Sequence, residues 1–302
     1  MARRKSIAAE SASLISRDFD SIGDYVEYVT TTKQRFNLVE SSDRDAANSW
    51  NGNTGSLAEA TSLVETGWKA GADKVSHWSG KLTGFLEAAK SVKSRAYTYD
   101  VVGQYVDVGR YLTGEPECFG SDDSEGDQLA SRVASIRLNN CVSGSLSGDT
   151  IVARGVAVLV AVDLIESLGT RCEVIVSQAT NTNDRRGDAG SEENTHVECN
   201  VIVKRAGEPV DLDRLAYSVA HPAYFRRLGF RYMEVNGHSP SGCNVSDMSD
   251  KGKRQGTVEI DSVLSYSGLS VSELQANVIE IVKACGIDFT DEQIAEIAAL
   301  TV

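Results

Sequence analysis

Apolar and polar positions fall into three stretches with different rhythms. Residues 1–50 are mixed in pattern, and from there to 95 the rhythm is helical. A helix or turn-rich arm fits around Ile22–Val29, and a cluster of turn formers, Trp50-Asn-Gly-Asn-Thr-Gly55, follows. Ser56-Leu-Ala-Glu59 has capping-box spacing, so a helix is expected to start there. Leu57, Ala60, Leu63 and Val64 recur at helical intervals until Gly67 stops the run. A second helix is predicted over 71–93, with Val75, Trp78, Leu82, Phe85, Leu86 and Ala89 along one side.

Val101–Leu112 is a short apolar and aromatic segment. Glu115–Asp127 then carries six carboxylates and no Lys or Arg. A divalent-ion loop needs oxygens at regular spacing about a glycine turn. The acids here are irregularly placed, which favours a solvated loop.

From Arg132 strands alternate with helices. Val133–Leu138 alternates like a strand, and Thr150–Leu168 is a helix with a wide apolar face ended by Gly169. Arg171–Val176 is β-branched and reads as a buried strand. A polar loop is expected over 181–194, a strand over His196–Val203, and a short helix over Asp211–Ala220 before Pro222. Phe230–Val235 reads as a fourth strand, Gly237–Gly256 as a long polar loop and Val258–Leu264 as an edge strand. Ser270-Val-Ser-Glu273 is a second capping box, opening a helix to about Cys285, and Thr290-Asp-Glu-Gln293 opens another. The fold class that follows is α/β: a mostly parallel sheet flanked by helices, with helical N-terminal and C-terminal portions. The expected layout is a mainly helical region over 1–95, an α/β domain over 96–268 and a helical pair over 269–302.

Charge narrows the partners. With 43 acidic and 30 basic residues the formal net charge is −13, which repels nucleic-acid phosphates and anionic lipid unless the cations cluster. Two small clusters exist, Arg226-Arg227 with Arg231, and Lys251–Arg254, without the aromatic interleaving of a nucleic-acid groove. Neither a secretory signal nor a bilayer-length apolar run is found; Gly155–Ile165 contains Asp163 and is too short. The six cysteines are far apart and lack metal-ligand spacing with the four histidines, so they are read as thiols in a reducing, cytoplasmic compartment.

Two segments could carry chemistry. Asn139-Asn-Cys141-Val-Ser143-Gly-Ser145 follows the first strand of the α/β part, where ligands bind in open parallel sheets, and leads into a helix N-terminus. His221-Pro222 followed by Arg226-Arg227 sets two cations beside an imidazole; that group could hold a phosphate or a partner's carboxylate. The expected alternative is an internal pairing for one arginine and a histidine packed at a helix end. No Walker A loop, Gly-x-Ser-x-Gly elbow or His-Glu-x-x-His is present, and no catalytic residue is assigned.

A strand ending in Asp-x-Ser-x-Ser, then a long amphipathic helix and a second buried strand, resembles a von Willebrand factor A domain. In that family the Asp and two Ser hold a divalent cation that grips a partner's carboxylate. The matching positions here are Asn139, Cys141 and Ser143. The first lacks the charge and the second offers a thiol, a poor ligand for Mg²⁺. The expectation is therefore a degenerate metal-adhesion loop with no cofactor, Mg²⁺ at Asn139 and Ser143 being the less favoured outcome.

Gly67-Trp68-x-x-Gly71, Val106-Asp-Val-Gly-Arg-Tyr-Leu-x-Gly-Glu-Pro-Glu117 and His221-Pro-Ala-x-x-Arg226-Arg227-x-x-Phe230 are also similar to a group of tailed-phage proteins over roughly 50–265. These resemblances imply a phage or prophage setting and a non-enzymatic protein-binding or adaptor role. The implied partner is another protein, a phage component or a ring ATPase. Two other readings stay open. One is a virion-associated, self-assembling structural protein; the other is a nucleic-acid-linked accessory protein using the basic clusters.

Overall fold

The computed structural model describes residues 13–33, 42–43, 47–81, 87, 97–103, 105–122, 133–184, 193–240, 243–253, 256–260 and 271–287. In chain order these form β1 (Ser13–Phe19), α1 (Ile22–Thr31), α2 (Leu57–Thr66), α3 (Lys69–Lys81), β2 (Tyr97–Asp100), β3 (Tyr105–Val106) and α4 (Val108–Leu112). Then come β4 (Phe119–Asp122), β5 (Val133–Asn139), α5 (Gly148–Ser167), β6 (Arg171–Asp184), β7 (Glu193–Lys204) and α6 (Leu212–Ala220). A π-helix over Tyr224–Gly229, α7 (Phe230–Val235), β8 (Asn244–Val245), β9 (Thr257–Ile260) and α8 (Val271–Ala284) complete the described chain.

Local chemistry accounts for most helix starts. The hydroxyls of Ser21, Ser56 and Ser147 each accept a backbone N–H three residues on, from Asp24, Glu59 and Thr150 respectively. Asp211 does the same for Arg214 at the start of α6. Gly67 ends α2 at φ 75°, where a Cβ would lie 2.5 Å from that of Asp213.

The main sheet has the order β1-β7-β6-β5-β9, with β8 added to the far end of β6. The β1/β7, β6/β5 and β5/β9 pairs are parallel; β6/β7 and β6/β8 are antiparallel. The protein is thus mixed α/β with a mostly parallel central sheet flanked by helices. One face of the sheet carries Ile136, Leu138, Val174, Val176, Val197 and Val201 into a core shared with the helices. α5 is apolar on most sides and largely buried, with Asp163 exposed, and lies between that face and α3, α6 and α8. Gly155 permits the α6 contact, because a Cβ there would lie 2.3 Å from that of Ala220. The same core takes in Phe19, Tyr25 and Val29 at one end of the chain and Val282 and Ile287 at the other. A second, three-stranded sheet of order β2-β4-β3 is separate and carries α4.

The structure corrects several expectations. Phe230–Val235 is helical, not a fourth strand: it continues from the π-helix and buries Tyr232, Met233, Glu234 and Val235 together. Both ends of the expected polar loop over 181–194 are strand, since β6 runs to Asp184 and pairs with Glu193 at the start of β7; residues 185–192 lie outside the described residues. β1 was hidden in a stretch read as a mixed arm. The helix over 71–93 is described as α3 to Lys81; most of its remainder, the end of the edge strand after Ile260 and the helix at Thr290 lie outside the described residues.

Candidate functional site

The expected site loop leaves the C-terminal end of β5. Asn139 is fully buried. Its Oδ1 accepts the backbone N–H of Cys141 at 3.1 Å and of Ala179 at 3.5 Å, and its Nδ2 donates to the Ser246 carbonyl at 2.9 Å. Cys141 is buried, and that burial pushes its thiol well above the usual range. Ser143 and Ser145 are exposed, with their hydroxyls 2.9 Å apart. These donors do not fit a divalent cation. The Asn139 oxygen already serves two N–H groups, Cys141 stays a neutral thiol, and among the described residues no carboxylate joins them. Among the described residues no cluster of three His, Cys, Asp or Glu could hold a metal.

His221, Arg226 and Arg227 come together with the first motif, as a structural junction. The His221 ring stands edge-on to Trp68 at 4.5 Å, and its Nδ1 accepts the Ala223 N–H at 3.1 Å. Burial, with Lys74 nearby, pulls its pKa down to about 4, so the ring is neutral. Arg226 donates to the carbonyls of Trp50, Ser143 and Leu146 and lies 4.2 Å over the Trp50 ring. Burial lowers its pKa to about 10, still charged at neutral pH. Arg227 donates to the carbonyls of Ser42 and Thr54 at 3.0 and 2.8 Å. Two consecutive arginines thus reach two different turns from the π-helix. Both guanidiniums are buried and hold backbone, and Arg226 binds the candidate loop itself from beneath.

A second polar assembly was not anticipated. On the sheet face opposite the core, Asp18, Asn200, Ser177 and Asn139 lie in register across four strands. In the next row Glu259 and Arg137 are paired. Arg137 is completely buried and donates to Ser177 Oγ, Asn200 Oδ1, the Ser249 carbonyl, Glu259 Oε1 and, at 2.5 Å, Glu198 Oε1. Burial raises the Glu198 pKa, but hydrogen bonds from His196, the Ser249 N–H and Asn200, with the charge of Arg137, outweigh that and hold it below the usual range. Glu198 Oε2 takes His196 Nε2 at 3.1 Å and the Ser249 N–H at 2.6 Å. Every N–H direction of the guanidinium is filled, so this network fastens the segment around Ser246–Ser249 to the sheet. Removing one partner of such a buried pair costs about 3–5 kcal/mol. The sequence signal was polar residues at alternate positions of otherwise apolar strands: Ser135, Arg137 and Asn139, then His196, Glu198 and Asn200.

A cleft of about 240 Å³ opens where β1 and β7 end and α1 and α6 begin. Lys204, Arg205 and Arg214 line it together with Asp20, Glu208 and Asp211. Arg205 donates to the Asp20 carbonyl at 2.8 Å and Arg214 to that of Glu65 at 3.2 Å, so its cations are balanced and engaged.

The small sheet is the opposite case. Asp100 and Val106 lie on either side of Phe119 in register, so Val101 and Val102 leave the same end of the sheet at which α4 begins. α4 is capped by Asp107, whose Oδ1 accepts the Arg110 N–H; that bond leads the causes holding its carboxyl below the usual range. Val108, Tyr111 and Leu112 recur at i, i+3 and i+4 on α4. Six of the seven exposed large hydrophobics among the described residues belong to this appendage: Val101, Val102, Val106, Val108, Tyr111 and Leu112, at 47–77% exposure.

The model of a family described as a domain of unknown function, DUF7192, matches residues 5–264. The chain belongs to that family. No curated protein and no solved structure matches it. The DUF7192 region takes in the appendage, the junction and the buried polar network alike, and ends shortly after β9. Among the described residues of the chain no helix is long and apolar enough to cross a membrane, and all six cysteines are free thiols.

Proposed function

We propose that this chain is a non-enzymatic protein-binding or adaptor protein, and that its contact surface is the appendage formed by β2, β3, α4 and β4. The observation that carries this reading is the concentration of exposed apolar side chains at Val101–Leu112. Soluble domains rarely leave a contiguous apolar patch facing water unless a partner covers it. The Val106–Glu117 motif, which supports a tailed-phage or prophage setting, falls within the same appendage.

We further read the β5–α5–β6 unit as a von Willebrand factor A-like arrangement without its metal. The order of strand, long helix and second strand supports this, as does the loop at Asn139–Ser145. Binding in this reading passes from the loop to the appendage. The inward direction of Arg226 and Arg227 weighs against the nucleic-acid-linked reading. A self-assembling structural protein would use the same patch with a second copy as its partner.

Affinity capture from cells that make the chain tests the proposal. Tagged full-length wild type should retain one protein in fixed ratio, and Leu112→Glu should lose it. Recovery of bait alone with both chains, or of a protein held equally by both, would overturn the assignment.

A further inference from the structure

Resting on the protein-binding reading above, we infer that the partner covers the appendage with an apolar segment bordered by lysine and arginine. The charge around the patch chooses this chemistry. Residues 99–120 contain four carboxylates, Asp100, Asp107, Glu115 and Glu117, and one cation, Arg110. Arg110 is occupied within the appendage. Its guanidinium lies 3.9 Å over the Tyr99 ring, 3.4 Å from Glu115, and donates to the Glu117 carbonyl. Asp100, Glu115 and Glu117 are exposed beside Val101, Val102 and Leu112. The sequence that follows adds Asp122, Asp123, Glu125 and Asp127.

An apolar surface with an acidic border discriminates among occupants. A second copy would bring the same border against itself, and like charges set face to face across an interface cost several kcal/mol. Anionic lipid and nucleic acid are repelled for the same reason. A basic border is attracted, steers the encounter, and places its cations where the carboxylates already stand. The apolar centre provides the contact: Val108, Tyr111 and Leu112 form a stripe on α4, with Val101 and Val102 beside it. An apolar centre that includes a tyrosine, ringed by a polar rim, matches the anatomy of a protein interface.

The probe is a displayed library of random short peptides, selected at low salt on immobilised full-length chain. Binding of each selected peptide is then compared on Val102→Ser with Leu112→Ser, and on Asp100→Asn with Glu117→Gln. These side chains are exposed, so the variants keep the fold. We expect peptides that flank aliphatic or aromatic residues with Lys and Arg. Their affinity should fall about tenfold on the serine variant, and severalfold on the amide variant or at high salt. Acidic or uncharged peptides that depend on Leu112 would overturn the partner chemistry and leave the binding reading intact. Peptides indifferent to the serine variant would overturn the surface. A wild-type dimer in sedimentation that Leu112→Ser dissociates would make the occupant a second copy and overturn the inference. A monomer that selects no peptide would count against both readings.

Discussion

At the junction of α2, α3 and the π-helix, Trp68, His221, Arg226 and Arg227 are fitted against glycines and backbone carbonyls. In the appendage, Val102 and Leu112 face solvent at 76% and 77% exposure. Both regions hold residues that a sequence reader singles out, and both mix charge with aromatic rings. In the junction the charges hold main chain: Arg226 alone serves three carbonyls from two separate turns. In the appendage the charges stand at the border of apolar side chains that touch nothing equivalent. A cationic motif therefore says little about binding until the destination of its N–H groups is known. The terminal nitrogens of the buried Arg226 guanidinium find their acceptors internally, whereas exposed valines and leucines have no internal task to explain them.

That contrast can be broken by substitution. The largest effect is expected for Arg226→Ala, which strips donors from the carbonyls of Trp50, Ser143 and Leu146. It should cost about 3 kcal/mol in urea denaturation. Arg226→Lys should recover only part of this, because one ammonium cannot replace a planar fork of donors. If Arg226→Ala unfolds like wild type, the junction is not structural and the site reading of this motif returns.

His221 gives the next largest effect, through pH. Its folded pKa of about 4 lies below the ordinary 6.5, so the unfolded chain binds the proton more readily between those values. Stability from the neutral ring is therefore fully present above about pH 6.5 and is lost as pH falls toward 4, by roughly 3 kcal/mol in all. Denaturation midpoints of wild type and His221→Gln should converge as pH is lowered through that window. A difference that stays constant from pH 7 to 4.5 would contradict the buried neutral imidazole.

Gly52→Ala should be milder, at about 1–2 kcal/mol by thermal melting. Gly52 sits at φ 69°, and a Cβ there would lie 2.5 Å from the His221 ring, which must shift to admit it. The smallest effect is expected in the appendage. Leu112→Glu should change stability by no more than about 0.5 kcal/mol, since the side chain is already in water. A loss comparable to that of Arg226→Ala would mean that the exposed patch packs in solution.

The helices were legible where a cap or a stop marked them: Ser56, Gly67 and Asp211 each stand at an observed boundary. Phe230–Val235 was misread because Phe-Arg-Tyr-Met-Glu-Val is a short, mostly apolar run with aromatic residues, which fits either a strand or a buried helix. A short helix buried on several sides loses the periodicity that separates the two. β6 was read too short because Asn181-Thr-Asn-Asp184 is polar, though its backbone pairs fully with β7. β1, Ser-Leu-Ile-Ser-Arg-Asp-Phe, has too weak an alternation to announce itself; only its distant partner makes it a strand. The candidate loop was found in sequence, but the commitment of Asn139 to Cys141, Ala179 and Ser246 depends on contacts across the fold. The exposure of Val101–Leu112 was likewise invisible, because an apolar segment reads the same whether or not something covers it.

The pairing of β1 with β7 bears on how the chain is made. Asp18 and Asn200, hydrogen-bonded side by side in the sheet, are separated by 182 positions. At a synthesis rate of about 5–20 residues per second, β1 leaves the ribosome roughly 10–40 s before the strand it lies against exists. Through that interval Leu14, Ile15 and Phe19 have no sheet to join. β1 must therefore wait for its partner until β7 has been made.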